Sequence, residues 1–162
     1  MTDFLDRVIA GMEVSGNCAR VSVVTFGSAA TLQFDLHAYA DAGSLGRAIR
    51  GLHMRNQSRD FASGIRKVRS QVFQGRYGDR KDATNMCVLV TDGTSGAEYA
   101  NSKTEVARAK ADGVAMQIIG IGRNVSMSEL SSLATATHLN DYIDLEGDDV
   151  LQQVFAYMPG EC

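Results

Sequence analysis

The chain is 162 residues long, 44% hydrophobic, with a formal net charge of −3, one proline and no tryptophan. This length fits a single domain, residues 1–162, large enough to bury a core without disulfide staples, and the hydrophobic content excludes a disordered chain. The weak negative charge argues against a nucleic-acid partner, no apolar run approaches the length needed for membrane insertion, and acids interrupt the opening residues Met1 to Arg7, so they form no signal peptide.

Along the chain, Phe4, Leu5, Val8, Ile9 and Met12 recur at helical spacing. Arg20 to Phe26 reads as a strand rich in Val and Thr. Gly27-Ser28-Ala29-Ala30 is a turn. Leu32, Phe34 and Leu36 then alternate with polar residues, which predicts a half-exposed strand pairing antiparallel in a hairpin. Leu45, Ala48, Ile49 and Leu52 form the apolar stripe of a second helix, and Phe61, Ile65, Val68 and Val72 that of a third. Gly75 to Asn85 is a polar loop, followed by a strand, Met86 to Thr91. A helix with Val106 and Ala109 inward stops at Asp112-Gly113. Val114 to Ile121 is a long apolar strand, and Leu130 and Leu133 sit on a short helix capped by Ser126 or Ser128. Tyr142 to Leu145 is a short strand, and Val150, Leu151, Val154 and Phe155 make a final helix. From Met86 onward strands and helices alternate, the pattern of a parallel sheet with helices on both faces. Val21, Val23, Val88, Val90, Ile118 and Ile119 are the strand positions expected to be buried.

The cysteines Cys18, Cys87 and Cys162 match no zinc spacing. Cys87, inside an apolar strand, reads as a buried free thiol. Cys18 and Cys162 fall in connecting or terminal segments, where they are either surface thiols or paired within or between chains. Two sequons, Asn56-Gln57-Ser58 and Asn124-Val125-Ser126, are compatible with secretion and make Asn56 and Asn124 candidate glycosylation sites. Gly120-Ile121-Gly122 is half of a dinucleotide fingerprint, but Val125 stands where the third glycine belongs. His37, His53 and His138 are scattered, and no Gly-x-Ser-x-Gly elbow occurs. No catalytic residue is assigned, and the chain reads as a non-enzyme. Arg66, Lys67 and Arg69 share one helix as its solvated face.

The most informative stretch is Cys87-Val88-Leu89-Val90-Thr91-Asp92-Gly93, an apolar strand ending in an acid and a glycine. In a parallel α/β sheet the carboxyl ends of the strands face the binding crevice, so Asp92 stands where a metal or ligand would meet it. An ordinary Asp-Gly turn is the plain alternative. Three blocks surround this feature. The first is Phe4 to Ile9 running into Ala19 to Gly27. The second is Ala62-Ser63-Gly64-Ile65-Arg66-Lys67-Val68 with Val72-Phe73. The third is Val88 to Gly93, followed by Ala111-Asp112-Gly113-Val114 and Ile118 to Gly122. In order and spacing they resemble the von Willebrand factor type A (VWA) domain.

The resemblance implies a Rossmann-like, doubly wound α/β fold in three layers, mostly parallel with one antiparallel edge strand. It also implies protein-ligand binding through a metal-ion-dependent adhesion site. There a hard cation such as Mg²⁺, held by oxygen ligands, keeps a position open for an acidic residue of the partner. The family builds this site from three loops. The first carries Asp-x-Ser-x-Ser after a central strand and has no counterpart, because this chain starts where the following helix starts. The threonine of the second loop matches Phe61, which cannot ligate a cation, with Asp60 beside it as a substitute if the register shifts. The aspartate of the third loop matches Asp92. A lone carboxylate holds Mg²⁺ poorly, so the resemblance implies no tightly bound cofactor here, and Mg²⁺ only where the missing loop is supplied.

In the family the absent strand lies between the Arg20 to Phe26 and Met86 to Thr91 strands. Its loss strips both of a ladder partner, at about 1–3 kcal/mol for each buried group left unpaired. The expectation is a domain truncated at its N-terminus relative to the family, with Met1 an internal methionine, and an isolated chain that is marginal, oligomeric or aggregation-prone. The implied function is a non-enzymatic interaction module, extracellular within a longer adhesive or matrix protein, binding a protein ligand at the carboxyl-terminal rim of the sheet. That rim collects the loop at Asp60 and Phe61, the loop Gly93 to Tyr99 with Thr94 and Ser95, and the loop Gly122 to Ser126. Phe61 is there either an exposed hydrophobic anchor or an inward residue stacked with Ile65. The alternatives are an intracellular, metal-independent scaffold domain and a hydrolase acting through Asp92.

Overall fold

A computed structural model of the chain describes residues 2–53, 59–121 and 124–134. The elements in chain order are α1 (Thr2–Ala10), β1 (Val23–Phe26), β2 (Ala30–Phe34), α2 (Ala42–Arg50), α3 (Phe61–Lys67), β3 (Met86–Thr91), α4 (Tyr99–Ala111), β4 (Ala115–Gly120) and α5 (Met127–Leu133). Helix α3 runs on through a π turn, Val68–Val72. β1 and β2 form the expected antiparallel hairpin, with Phe26 opposite Ala30 and Val23 opposite Phe34. β3 and β4 pair in parallel, from Met86 opposite Ala115 to Thr91 opposite Gly120.

The period-2 alternation of each strand sends its side chains to two helical layers. Cys87 and Leu89 of β3, with Met116 and Ile118 of β4, pack against Phe61 and Ile65 of α3, Val106 and Ala109 of α4, and Leu130 and Leu133 of α5. Val88, Val90 and Ile119 turn the other way, toward Phe4 and Val8 of α1. Ile9 and Val14 extend that layer to Leu45 and Ile49 of α2 and to Val21, Val23 and Phe34. Caps fix the helix starts. Asp41 accepts from Ser44 N at 2.8 Å, Asp60 from Ser63 N at 2.9 Å, and Ser126, rather than Ser128, from Glu129 N at 3.4 Å. The stop after α4 is at Gly113, whose φ of 82° suits glycine.

The sheet is split. Among the described residues β1 pairs only with β2, and β3 only with β4. A cavity of about 1420 Å³ runs between the two pairs, walled by Val21 and Val23 on one side and by Val88 and Val90 on the other. These four valines are therefore half-buried, which corrects the expectation that they are buried. Ile118 and Ile119, on the far strand, are 6% and 0% exposed. The split also shortens β1, which begins at Val23 rather than Arg20.

Contacts between the flanking segments hold β1 beside β3. At their lower ends Arg20 Nη1 donates to Gly78 O at 2.9 Å and Arg80 Nη1 donates to Asn17 O at 2.7 Å. At their upper ends Asp60 N donates to Gly27 O at 3.3 Å. Cys87 is a buried free thiol, pushed up to about 12 by burial. Cys18 is disulfide-bonded. Cys162, Asn56, His138, the expected strand Tyr142 to Leu145 and the expected final helix lie outside the described residues. No helix among the described residues is long and apolar enough to cross a membrane.

Candidate functional site

The rim is organised by the end of β3. Thr91 is 2% exposed. Its hydroxyl donates to Gly93 O at 3.1 Å and accepts from Gly93 N at 3.2 Å, closing a tight turn. This turn leaves Asp92 outward, its side chain 60% exposed. Asp92 Oδ1 accepts from Arg59 Nε at 2.9 Å. The glycine leaves room for that pair: a Cβ at Gly93 would fall 2.6 Å from Arg59 Nε and push the guanidinium aside.

The second loop thus presents Arg59 to Asp92. Two residues on, Phe61 is 0% exposed and packs with Ile65 in the core, so the inward alternative is the one the structure has. Asp60 lies between them, its Oδ1 occupied as the cap of α3. Arg59 was missed at the sequence level, although a signal existed. The stripe Phe61-Ile65-Val68-Val72 already turns Phe61 inward, and an N-capping Asp60 puts the residue before it at the loop tip.

The third loop is tied to α5. Ser95, 6% exposed, donates from its backbone N to Glu129 Oε1 at 2.6 Å, and its hydroxyl donates to the same oxygen. Ser95 is thus committed within the fold, while Thr94 beside it is half-buried. Asn124 is exposed on the turn after β4. A pocket of about 420 Å³ opens between the second and third loops, lined by Ser28, Arg59, Asp60, Ser95, Ala97 and Glu98.

These residues do not fit a divalent cation. The carboxylate that would ligate it holds a guanidinium, Asp60 caps a helix, and the Thr91 hydroxyl is closed on Gly93. Among the described residues no three of His, Cys, Asp and Glu come together as a ligand set.

The sequence model of the von Willebrand factor type A domain matches residues 1–156. The chain belongs to this family. This VWA domain is 28% identical over 152 residues to Matrilin-1 of Gallus gallus, an alignment covering 93% of the chain and 30% of that protein. It superposes on proximal thread matrix protein 1 from the mussel byssus with a TM-score of 0.83 and 26% identity, over 95% of this chain and 41% of that one. A structure of the same mussel protein with a zinc-occupied metal-ion-dependent adhesion site gives a TM-score of 0.81 at 25% identity, over 96% of this chain and 40% of that one. This VWA domain therefore spans well under half the length of these relatives.

Proposed function

We propose that this VWA domain is a non-enzymatic interaction module of an extracellular adhesive or matrix protein, taking a protein ligand at the carboxyl-terminal rim of its sheet without a tightly held metal. The observation that carries the proposal is the exposed Arg59–Asp92 pair, raised at the end of β3 where a parallel sheet presents ligands. The named relatives, a matrilin and a byssal matrix protein, support the matrix setting. The disulfide at Cys18 supports an oxidising compartment over the intracellular scaffold reading. Exposed Asn124 is accessible for glycosylation.

Solid-phase binding of the folded protein to a panel of purified matrix proteins, with and without EDTA, tests this. We expect saturable, EDTA-insensitive binding that Thr94→Arg on the rim weakens and Lys81→Glu, on the lower loop, leaves unchanged. Absence of binding, or binding lost in Lys81→Glu and kept in Thr94→Arg, would overturn the proposal.

A further inference from the structure

Resting on that reading, we infer that Arg59 is a built-in cation: its guanidinium holds the place against Asp92 that a metal would otherwise take, and its spare donors receive a carboxylate of the partner. A guanidinium carries five N–H groups in a planar fork. Asp92 Oδ1 takes one, from Nε, and no other acceptor for Arg59 is found among the described residues. The two terminal nitrogens are the pair whose spacing matches a carboxylate bidentately.

The group is placed to act. The Arg59 side chain is 36% exposed and borders the pocket of about 420 Å³. It lies over the Thr91–Gly93 turn, where any Cβ at Gly93 would also fall 2.8 Å from Arg59 Cζ. The seat for the guanidinium is therefore formed by a buried threonine and by a glycine whose lack of a side chain leaves it room.

The surrounding charge narrows the ligand further. Asp60 and Glu98 also line the pocket. Asp60 Oδ1 accepts from Ser63 N, and Glu98 Oε2 from Asn101 Nδ2 at 2.7 Å; neither second oxygen has a partner among the described residues. A purely acidic ligand would meet these two carboxylates as repulsion. A ligand with an acidic residue next to a basic one satisfies both halves of the pocket, the acid on Arg59 and the base on Asp60 and Glu98. The partner chemistry is thus a peptide segment carrying an acid–base step.

The test is titration of the ¹⁵N-labelled protein in EDTA, reading the backbone amides of Gly93, Thr94 and Ser95 in every variant and, in the wild type, the Arg59 Nε–H resonance as well. The probes are acetylated, amidated tetrapeptides Gly-Glu-Lys-Gly, Gly-Gln-Lys-Gly and Gly-Glu-Glu-Gly. We expect a saturable shift with the first probe and affinity lower by about fivefold, about 1 kcal/mol, with the other two. Binding of the first probe should vanish in Arg59→Gln and persist, weakened, in Arg59→Lys. Equal binding of the Gln-Lys probe, a requirement for Mg²⁺, or full binding by Arg59→Gln with an unchanged melting temperature would overturn the inference. The solid-phase assay separates the two levels. Arg59→Gln that still binds matrix protein in a Thr94-dependent way removes Arg59 and leaves the rim reading standing. A wild-type protein that binds no matrix protein removes the rim reading itself.

Discussion

The ring of Phe61 meets the ring of Phe26 edge to face, with centroids 5.7 Å apart and planes at 86°. Phe61 opens α3 and Phe26 closes β1, so this contact seats the helix on the hairpin. Edge-to-face pairs of this kind contribute beyond their buried area. Phe61→Ala should cost about 3–5 kcal/mol in chemical denaturation, the usual range for deleting a buried phenylalanine. The fraction that stays folded should bind at the rim like wild type. A cost below about 1 kcal/mol together with lost binding would return Phe61 to the ligand surface.

Divalent metal should bind weakly. Isothermal titration with Mg²⁺ and Mn²⁺ should show no saturable site tighter than about 10 µM, about −7 kcal/mol. Arg59→Ala should not create one, because Asp92 would then stand as a single carboxylate. Tight binding that disappears in Asp92→Ala would show that the rim rearranges to accept a cation.

Glu105 should make the domain acid-sensitive. It is 1% exposed between α3 and α4 and meets Arg66 at 3.2 Å, Arg69 at 3.4 Å and Arg108 at 2.8 Å. Burial pushes its carboxyl up, but hydrogen bonds and charge from Arg66 and Arg108 outweigh burial and hold it below the ordinary 4.5. A carboxylate depressed in the folded state contributes stability above its unfolded value, and that contribution is lost as pH falls through the folded one. Glu105→Gln should lower stability at neutral pH by about 1–3 kcal/mol. It should also flatten the decline of stability from about pH 5 downward. An unchanged acid limb in the variant would place that sensitivity elsewhere.

The split sheet carries a stability prediction. Helix α1 starts near the upper rim and descends, since Glu13 O, just past its end, accepts from Ala19 N beside the Arg80 clamp. A strand rising between β1 and β3 into the start of α1 would complete a right-handed crossover. Fusing an apolar strand ahead of Met1 should raise the melting temperature and slow amide exchange at Val88 and Val90. The chain should be marginal or self-associating, because among the described residues its two inner edges are open. Sedimentation showing a monomer, with cooperative unfolding at an ordinary temperature and no gain from the fusion, would refute this.

Much of the architecture was legible because local and global signals agree. The stretch Met86–Thr91 is a strand whether judged by apolar run or by pairing, and Gly113 ends α4 as its position suggested. The half-exposure of Val88 and Val90 was not legible, because an apolar pattern records what a strand is built to face and not whether that neighbour is present. At the rim, Asp92 was found because strand ends point there. Arg59 escaped because matching a metal-ligating position invites a search for oxygen, while the geometry answers with a guanidinium. The commitment of Ser95 to Glu129 depends on a contact across 34 residues of sequence, which no local pattern encodes.

The thiol of Cys87 gives the split sheet its own clock. Alkylating reagents consume thiolate, and burial keeps this thiol, the one free cysteine among the described residues, protonated up to about 12. Cys87 lies along the cavity between β1 and β3. Its labelling rate under native conditions should therefore report how often the surroundings of β3 open, without a mutation or an attached dye. Any segment that wedges into the gap should slow the labelling.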